Sequence, residues 1–197
     1  TLDTLNIDGG PNLLLAIPNV TFSKGNFTGS NFAIRGVGSK AVGASADATV
    51  GVHQNGVPLT ANLQFEAEIF EVERVEVLRP PQGTHYGRNA TGGVINLITA
   101  KPDPGVWDGS GELTFGNYGT LRVRGMVNVP LGENFALRVA ATGTSREGYG
   151  SNLTTGNNVD HRDIYAYRVS GGGDITPNLR GWVSYDVFEE DDNRVRA

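Results

Sequence analysis

The chain has 197 residues and a formal net charge of −5, long enough for one or two domains with a sizeable core and too acidic to favour a nucleic-acid partner. Glycine is 28 of the 197 residues against 9 prolines, about twice the usual glycine share without the proline excess of a disordered linker. Cysteine is absent, which removes disulfides, thiolate zinc sites and cysteine nucleophiles. No apolar run approaches the ~20 residues of a transmembrane helix. A membrane barrel is still open, because its strands alternate over about ten residues and never look apolar overall. Thr1 is not a start methionine and no signal-peptide pattern follows it, so the chain reads either as mature or as a piece of something longer.

Residues 1–107 read as a mixed domain of short strands and loops. Leu5–Ile17 carries apolar residues behind a possible Asp8 cap, which predicts a short helix ended by Pro18. Phe32–Arg35 is a short strand. Val50–His53 and Val57–Leu59 flank Gln54, Asn55 and Gly56; Asn-Gly between apolar runs is a hairpin signal, because both residues tolerate positive φ. Phe65–Phe70 fits a helical turn. Val72–Leu78 sets Val75 and Val77 against Arg74 and Glu76, a half-buried strand stopped by Pro80 and Pro81. Val94–Thr99 is a further strand, entered through Gly92-Gly93 and closed by Pro102.

Residues 108–197 alternate. Glu112–Phe115, Thr120–Val129, Phe135–Arg146, Asp163–Gly171 and Leu179–Phe188 make five strands. Leu121, Val123, Val127 and Val129 share one face of the second, with Arg122, Arg124, Met126 and Asn128 on the other. Phe135, Leu137, Val139 and Ala141 oppose Arg138, Thr142, Thr144 and Arg146 in the third. Tyr165, Tyr167 and Val169 oppose Arg168 and Ser170; Val183, Tyr185 and Val187 oppose Ser184 and Asp186. A soluble sheet with one wet face shows the same alternation. Two details point to a membrane barrel instead: the polar face carries Arg, Thr and Ser, and tyrosines sit on the apolar face as in interfacial girdles. Leu131–Asn134 and Thr176–Asn178 are tight turns, whereas Glu147–Arg162 is a long loop, the outer-membrane pattern of short turns on one side and long loops on the other. Five strands are fewer than the smallest membrane barrel requires, so the barrel is expected to be incomplete in this chain.

The run Val72-Glu73-Arg74-Val75-Glu76-Val77-Leu78-Arg79-Pro80-Pro81-Gln82-Gly83-Thr84-His85-Tyr86-Gly87-Arg88-Asn89-Ala90-Thr91-Gly92-Gly93-Val94-Ile95-Asn96 closely resembles the plug signature of TonB-dependent outer-membrane receptors. Pro18-Asn19-Val20-Thr21-Phe22, Ile34-Arg35-Gly36-Val37-Gly38-Ser39 and the stretch from Val52 to Leu59 are similar to the same family. Gly116-Asn117-Tyr118-Gly119-Thr120 and Val129-Pro130-Leu131 resemble its first barrel strands. The chain departs from the pattern at Pro80, where the family has Gly and where Pro removes an N–H and fixes φ. It departs again at Asn55, where the family has Asp.

The resemblance implies an α+β plug domain over residues 1–107, followed by antiparallel transmembrane β-barrel strands over 108–197, in the outer membrane of a Gram-negative bacterium. It implies a receptor that binds a scarce solute and moves it to the periplasm with energy transmitted by TonB. The usual cargo is a ferric siderophore, and alternatives are vitamin B12, haem or a glycan. The implied partners are the TonB complex, that small-molecule solute, and membrane lipid with lipopolysaccharide; no nucleic acid and no cofactor is implied.

Arg35 and Arg79 match the family's two plug arginines that pair with barrel-wall carboxylates and lock the plug. An Arg fork suits a carboxylate, and a buried Arg must be paired. A local ion pair with Glu73 or Glu76 is the alternative. Ser39, Lys40 and Ala41, with Thr60, Asn62 and Gln64, fall in stretches that correspond to plug loops facing the solute. Lys40 suits an anionic chelate or a plain solvated surface. His53, His85 and His161 lack metal-ligand spacing, no Gly-Lys-Ser/Thr phosphate loop occurs, and no catalytic constellation is visible, so a binding and transport protein is expected and an enzyme is not. A passive barrel with a vestigial plug, and a soluble β-sandwich binding module, are the rival readings.

Overall fold

The computed structural model describes residues 17–25, 29–38, 49–59, 70–78, 90–156 and 158–192. All the regular structure in these residues is strand. The helices expected over Leu5–Ile17 and Phe65–Phe70 lie outside them, apart from the end residues Ile17 and Phe70, neither of which is helical. The chain divides into two compact units, Thr1–Ala100 and Lys101–Ala197.

The first unit holds two sheets. β1 (Val20–Gly25), β2 (Gly29–Ile34) and β3 (Val37–Gly38) form an antiparallel meander. Arg35 and Gly36 turn the chain between β2 and β3, both at positive φ. The second sheet is built from β4 (Val50–Gln54), β5 (Val57–Pro58), β6 (Val72–Leu78) and β7 (Gly93–Thr99) in the order β5-β4-β7-β6. β4 and β5 are the expected hairpin. Asn55 (φ 52°) and Gly56 (φ 82°) supply its two left-handed turn residues, the backbone twist that suits a two-residue hairpin. β4 and β7 pair in parallel, Val50 opposite Gly93 and Val52 opposite Ile95. These two central strands are buried along most of their length, as parallel strands covered on both faces must be. Val20, Phe32, Ile34, Val50, Val52 and Ile95 form one apolar core shared by both sheets, with the Phe22 and Phe32 rings edge to face at 5.2 Å.

The second unit is a single antiparallel meander of β8 (Asp108–Phe115), β9 (Leu121–Leu131), β10 (Phe135–Arg146), β13 (Arg162–Thr176) and β14 (Leu179–Asp192), ordered β14-β13-β10-β9-β8. Two-residue strands β11 (Gly150–Ser151) and β12 (Asn158–Val159) pair inside the long loop. The sheet does not close; β8 and β14 are its two edges. The last two long strands extend beyond their expected spans, because Gly171-Gly172-Gly173 and the Glu/Asp run after Phe188 continue the ladder without continuing the apolar alternation. Gly173 is required where it stands: a Cβ there would lie 1.8 Å from the Asn134 carbonyl oxygen. The next residue, Asp174, donates its N–H to that same oxygen at 2.8 Å.

Candidate functional site

The five-strand register places successive polar residues side by side. Glu112, Arg124, Thr142, Ala166 and Phe188 form one cross-strand row; Arg122, Thr144, Ile164 and Glu190 form the next toward the long loops. Met126, Ala140, Arg168 and Asp186 form the row on the other side, followed by Asn128, Arg138, Ser170 and Ser184. Arg168 is only 6% exposed, and its guanidinium donates through Nε to Asp186, which meets the need of a buried Arg for a partner. Arg162 reaches Glu190 at 3.5 Å, and Arg122 donates to the Thr144 hydroxyl at 3.2 Å. On the opposite face Tyr165, Tyr167, Val183 and Tyr185 are exposed, Val183 at 77%. The Tyr165 hydroxyl donates to Glu189 on the neighbouring strand. Alternation therefore assigns both faces correctly. It also sends Trp182 and Phe188 to the polar face, which the count of polar residues there conceals.

At the end of the sheet that carries the longer loops, the β8–β9 turn meets the β10–β13 loop. Tyr118 and Tyr149 lie ring to ring at 5.9 Å, and the Arg146 guanidinium stacks over Tyr149 at 5.2 Å while donating to the Asp160 carbonyl. The Glu147 N–H donates to the Tyr118 carbonyl at 2.9 Å, which fastens one loop to the other.

In the first unit the hairpin tip carries a polar network. The Asn55 carboxamide accepts from the Thr99 N–H and donates to its hydroxyl, each at 3.0 Å. Asn96 accepts from the Gly56 N–H at 3.0 Å and donates to Glu76 at 3.3 Å. Glu76 and Glu73 both pair with Arg74, at 2.9 and 2.6 Å. The Arg74 hydrogen bond, with that of Asn96, holds the Glu76 carboxyl below the usual carboxylate range, and Glu76 in turn raises the Arg74 guanidinium. His53 is buried, with Nδ1 3.2 Å from the Gly56 carbonyl oxygen.

Of the expected site residues, Arg35 is exposed at the β2–β3 turn, its N–H bonded to the Asn19 carbonyl, and makes no ion pair among the described residues. Arg79, Ser39, Lys40, Ala41, Thr60, Asn62, Gln64 and Pro80 lie outside the described residues. No group of three or more His, Asp or Glu among the described residues is placed to hold a metal. The side-chain role of Asn55 and the cross-strand role of Asn96 were missed from sequence, because each depends on a partner 40 or more residues away.

Residues 4–94 match the family model of the TonB-dependent receptor plug domain. The chain is 31% identical over 123 residues to the ferrienterobactin receptor of Escherichia coli, which covers 58% of this chain and 16% of that protein. It is 40% identical over 81 residues to the pesticin receptor of Yersinia pestis, covering 41% of this chain and 12% of that one. The chain thus spans about a sixth or less of the length of these curated relatives. Its fold matches the crystal structure of the ferric yersiniabactin uptake receptor of Yersinia pestis with a TM-score of 0.77 at 22% identity, over 87% of this chain and 27% of that one. It matches a pyoverdine-bound receptor of Pseudomonas aeruginosa with a TM-score of 0.78 at 22% identity, over 96% and 24%.

Proposed function

We propose that this chain belongs to the TonB-dependent outer-membrane receptor family, and that its protein binds a ferric siderophore and imports it to the periplasm with energy transmitted by TonB. The observation that carries this reading is the joining, in one chain, of a plug-domain sequence to a meander sheet with an apolar exposed face and an arginine-rich buried one. The named relatives supply the cargo class: ferrienterobactin for one and ferric yersiniabactin for another. Arg122, Arg124, Arg138, Arg146, Arg162 and Arg168 share one face with Glu112, Asp186 and Glu190, a polar wall of mixed charge. In this reading residues 1–107 are the plug and 108–197 barrel strands. Arg35 and Arg79 lock the plug to barrel carboxylates, and Ser39, Lys40, Ala41, Thr60, Asn62 and Gln64 lie in loops that face the solute. The activity is binding and transport, without catalysis.

The test is iron uptake. The full-length receptor is expressed in iron-limited Gram-negative cells that lack their own siderophore receptors, with and without TonB, and radioactive ferric siderophores are supplied. Accumulation that requires both the receptor and TonB supports the proposal. Receptor-dependent accumulation that is indifferent to TonB overturns it in favour of a passive barrel.

A further inference from the structure

The seven residues before β8, 101–107, are held against the buried face of the five-strand sheet by contacts that neither composition nor the plug signature explains. Asn128 of β9 is fully buried. Its carboxamide oxygen accepts the Asp103 N–H at 3.0 Å, and its nitrogen donates to the Asp103 carbonyl at 2.8 Å and to the Val106 carbonyl at 2.6 Å. Both amide hydrogens are used, and the oxygen and nitrogen assignments are mutually consistent. The partners are all main chain. Asn128 thus pairs with Asp103 as a neighbouring strand would, through N–H and C=O together.

The sequence around Asp103 explains why one side chain suffices. Pro102 and Pro104 have no N–H, and each pushes the residue before it toward extended backbone. Asp103 therefore carries the one N–H of the Pro-Asp-Pro run, and Asn128 takes it, as a buried backbone donor requires. Pro102 and Pro104 are buried while Asp103 is exposed between them, so the run sits on the sheet in an extended, alternating manner. At its upstream end the Lys101 ammonium lies over the Trp182 ring of β14, 4.0 Å from the centroid, a cation–π contact. The segment thus spans the polar face of the meander from β14 to β9. In the register row of Trp182 stand Gly172, which has no side chain, and Ala136. The Asp103 carboxylate turns back to its own chain and accepts the Gly105 N–H at 2.9 Å.

We infer that Asn128, with Trp182, is a clip that makes residues 101–107 a fixed part of the barrel wall, so that force applied to the plug during import stops at residue 101. Asn128 is a positioning residue for transport; it touches no cargo. The inference rests on the proposed reading of energised import, because a stop has a use only where the plug is pulled.

Single-molecule pulling tests it. The full-length receptor is reconstituted in lipid, held by the barrel, and pulled from the N-terminus in the absence of TonB. The wild-type extension ends with residues 101–107 still held. In Asn128→Ala it lengthens by about 24 Å, the reach of seven extended residues. Asp103→Ala keeps the wild-type length, because the clip reads the main chain. Amide exchange on the wild-type receptor gives a second reading that needs no variant: the Asp103 N–H is protected like the amides of β9, and Asn128→Ala speeds its exchange at least about tenfold. A wild-type Asp103 amide that exchanges like an open loop overturns the clip, as does an unchanged pulling length in a folded Asn128→Ala barrel. Since the pulling needs neither cargo nor TonB, failed uptake by the wild-type receptor overturns the import reading while the pulling result still decides the clip.

Discussion

The two units treat the faces of their strands differently: the central strands of the first are buried on both faces, whereas the long strands of the second alternate and bury the polar one. In residues 1–100 Val20, Ile34, Val50, Val52, Val94 and Ile95 are inside, with His53, Asn96 and Thr99 the buried polar residues among them. In residues 101–197 the valines, leucines and tyrosines are outside, and Asn128, Thr142, Arg168 and Ser170 are buried instead. Alternation alone is neutral between these outcomes, since a strand of period two presents both faces equally. The choice of which face to bury is made by the solvent. The first unit suits water. The second suits hydrocarbon on one side and polar packing on the other, with its inner strands paired to a neighbour on each side along most of their length, as backbone in a bilayer requires.

The largest expected effect tests that inversion. Val139 sits mid-strand on the apolar face, opposite Val127 and Val169. Val139→Arg in the full-length receptor is expected to cost about 2–4 kcal/mol of folding stability in lipid, the penalty for a cation facing the bilayer midplane. Ser184→Arg, on the polar face, costs far less. Urea titrations of the liposome-folded variants measure both. Spin labels sharpen the same comparison: sites 165, 167, 183 and 185 report lipid accessibility, and sites 124 and 184 do not. Equal stability of the two arginine variants would show that the apolar face does not meet lipid.

The units differ also in how far along the chain their order is written. Each long strand of the five-strand sheet pairs with the preceding or following long strand, so period-two runs separated by turn residues are enough to locate all five. The ends were less legible, because Gly172 and Gly173 carry no pattern although the ladder runs through them. In the first unit the Asn55-Gly56 hairpin was visible because its chemistry is local. The parallel pairing of β4 with β7 was not, since nothing in Val50–Gln54 specifies a partner beginning at Gly93. β1 was missed because Ser23, Lys24 and Gly25 break the apolar alternation after Phe22. Asn128 read as one more polar residue on a polar face; its function depends on Pro-Asp-Pro more than twenty residues upstream.

A mid-sized effect probes that non-local wiring. Asn55→Ala removes the bonds to Thr99 and takes away the polar side chain that lets an Asn, unlike an Ala, tolerate positive φ. Together these cost about 2 kcal/mol, read as roughly thirtyfold faster amide exchange at Thr99 in the intact receptor. Asn55→Gly loses the same side-chain bonds but, having no Cβ, adopts the left-handed turn without strain, so it falls between wild type and Asn55→Ala. If glycine and alanine behave alike, the turn conformation contributes nothing and the link to β7 is the whole effect.

The smallest effect concerns charge in the first unit. Glu76 on β6 is held below the ordinary carboxylate range by Arg74 first and Asn96 second. A carboxyl whose folded pKa is depressed contributes stability that is fully present above its unfolded value, near 4.5, and that disappears as the pH falls through the lower folded value. Glu76→Gln keeps the size and the possible contact to Asn96 but removes the charge. At pH 7 the wild type is therefore the more stable of the two, and the gap narrows as the pH drops below about 4. The gap is small, because the Arg74–Glu76 pair is solvent-exposed and exposed pairs are weak, and it shrinks further in high salt. Urea midpoints for unfolding of the β4–β7 sheet, followed for both proteins at pH 7 and pH 3.5, measure it. A gap that widens at low pH reverses the sign and shows that the Arg74 contact does not favour the ionised carboxyl. A gap that is unchanged by pH assigns the effect of Glu76 to the hydrogen bond with Asn96 and not to its charge.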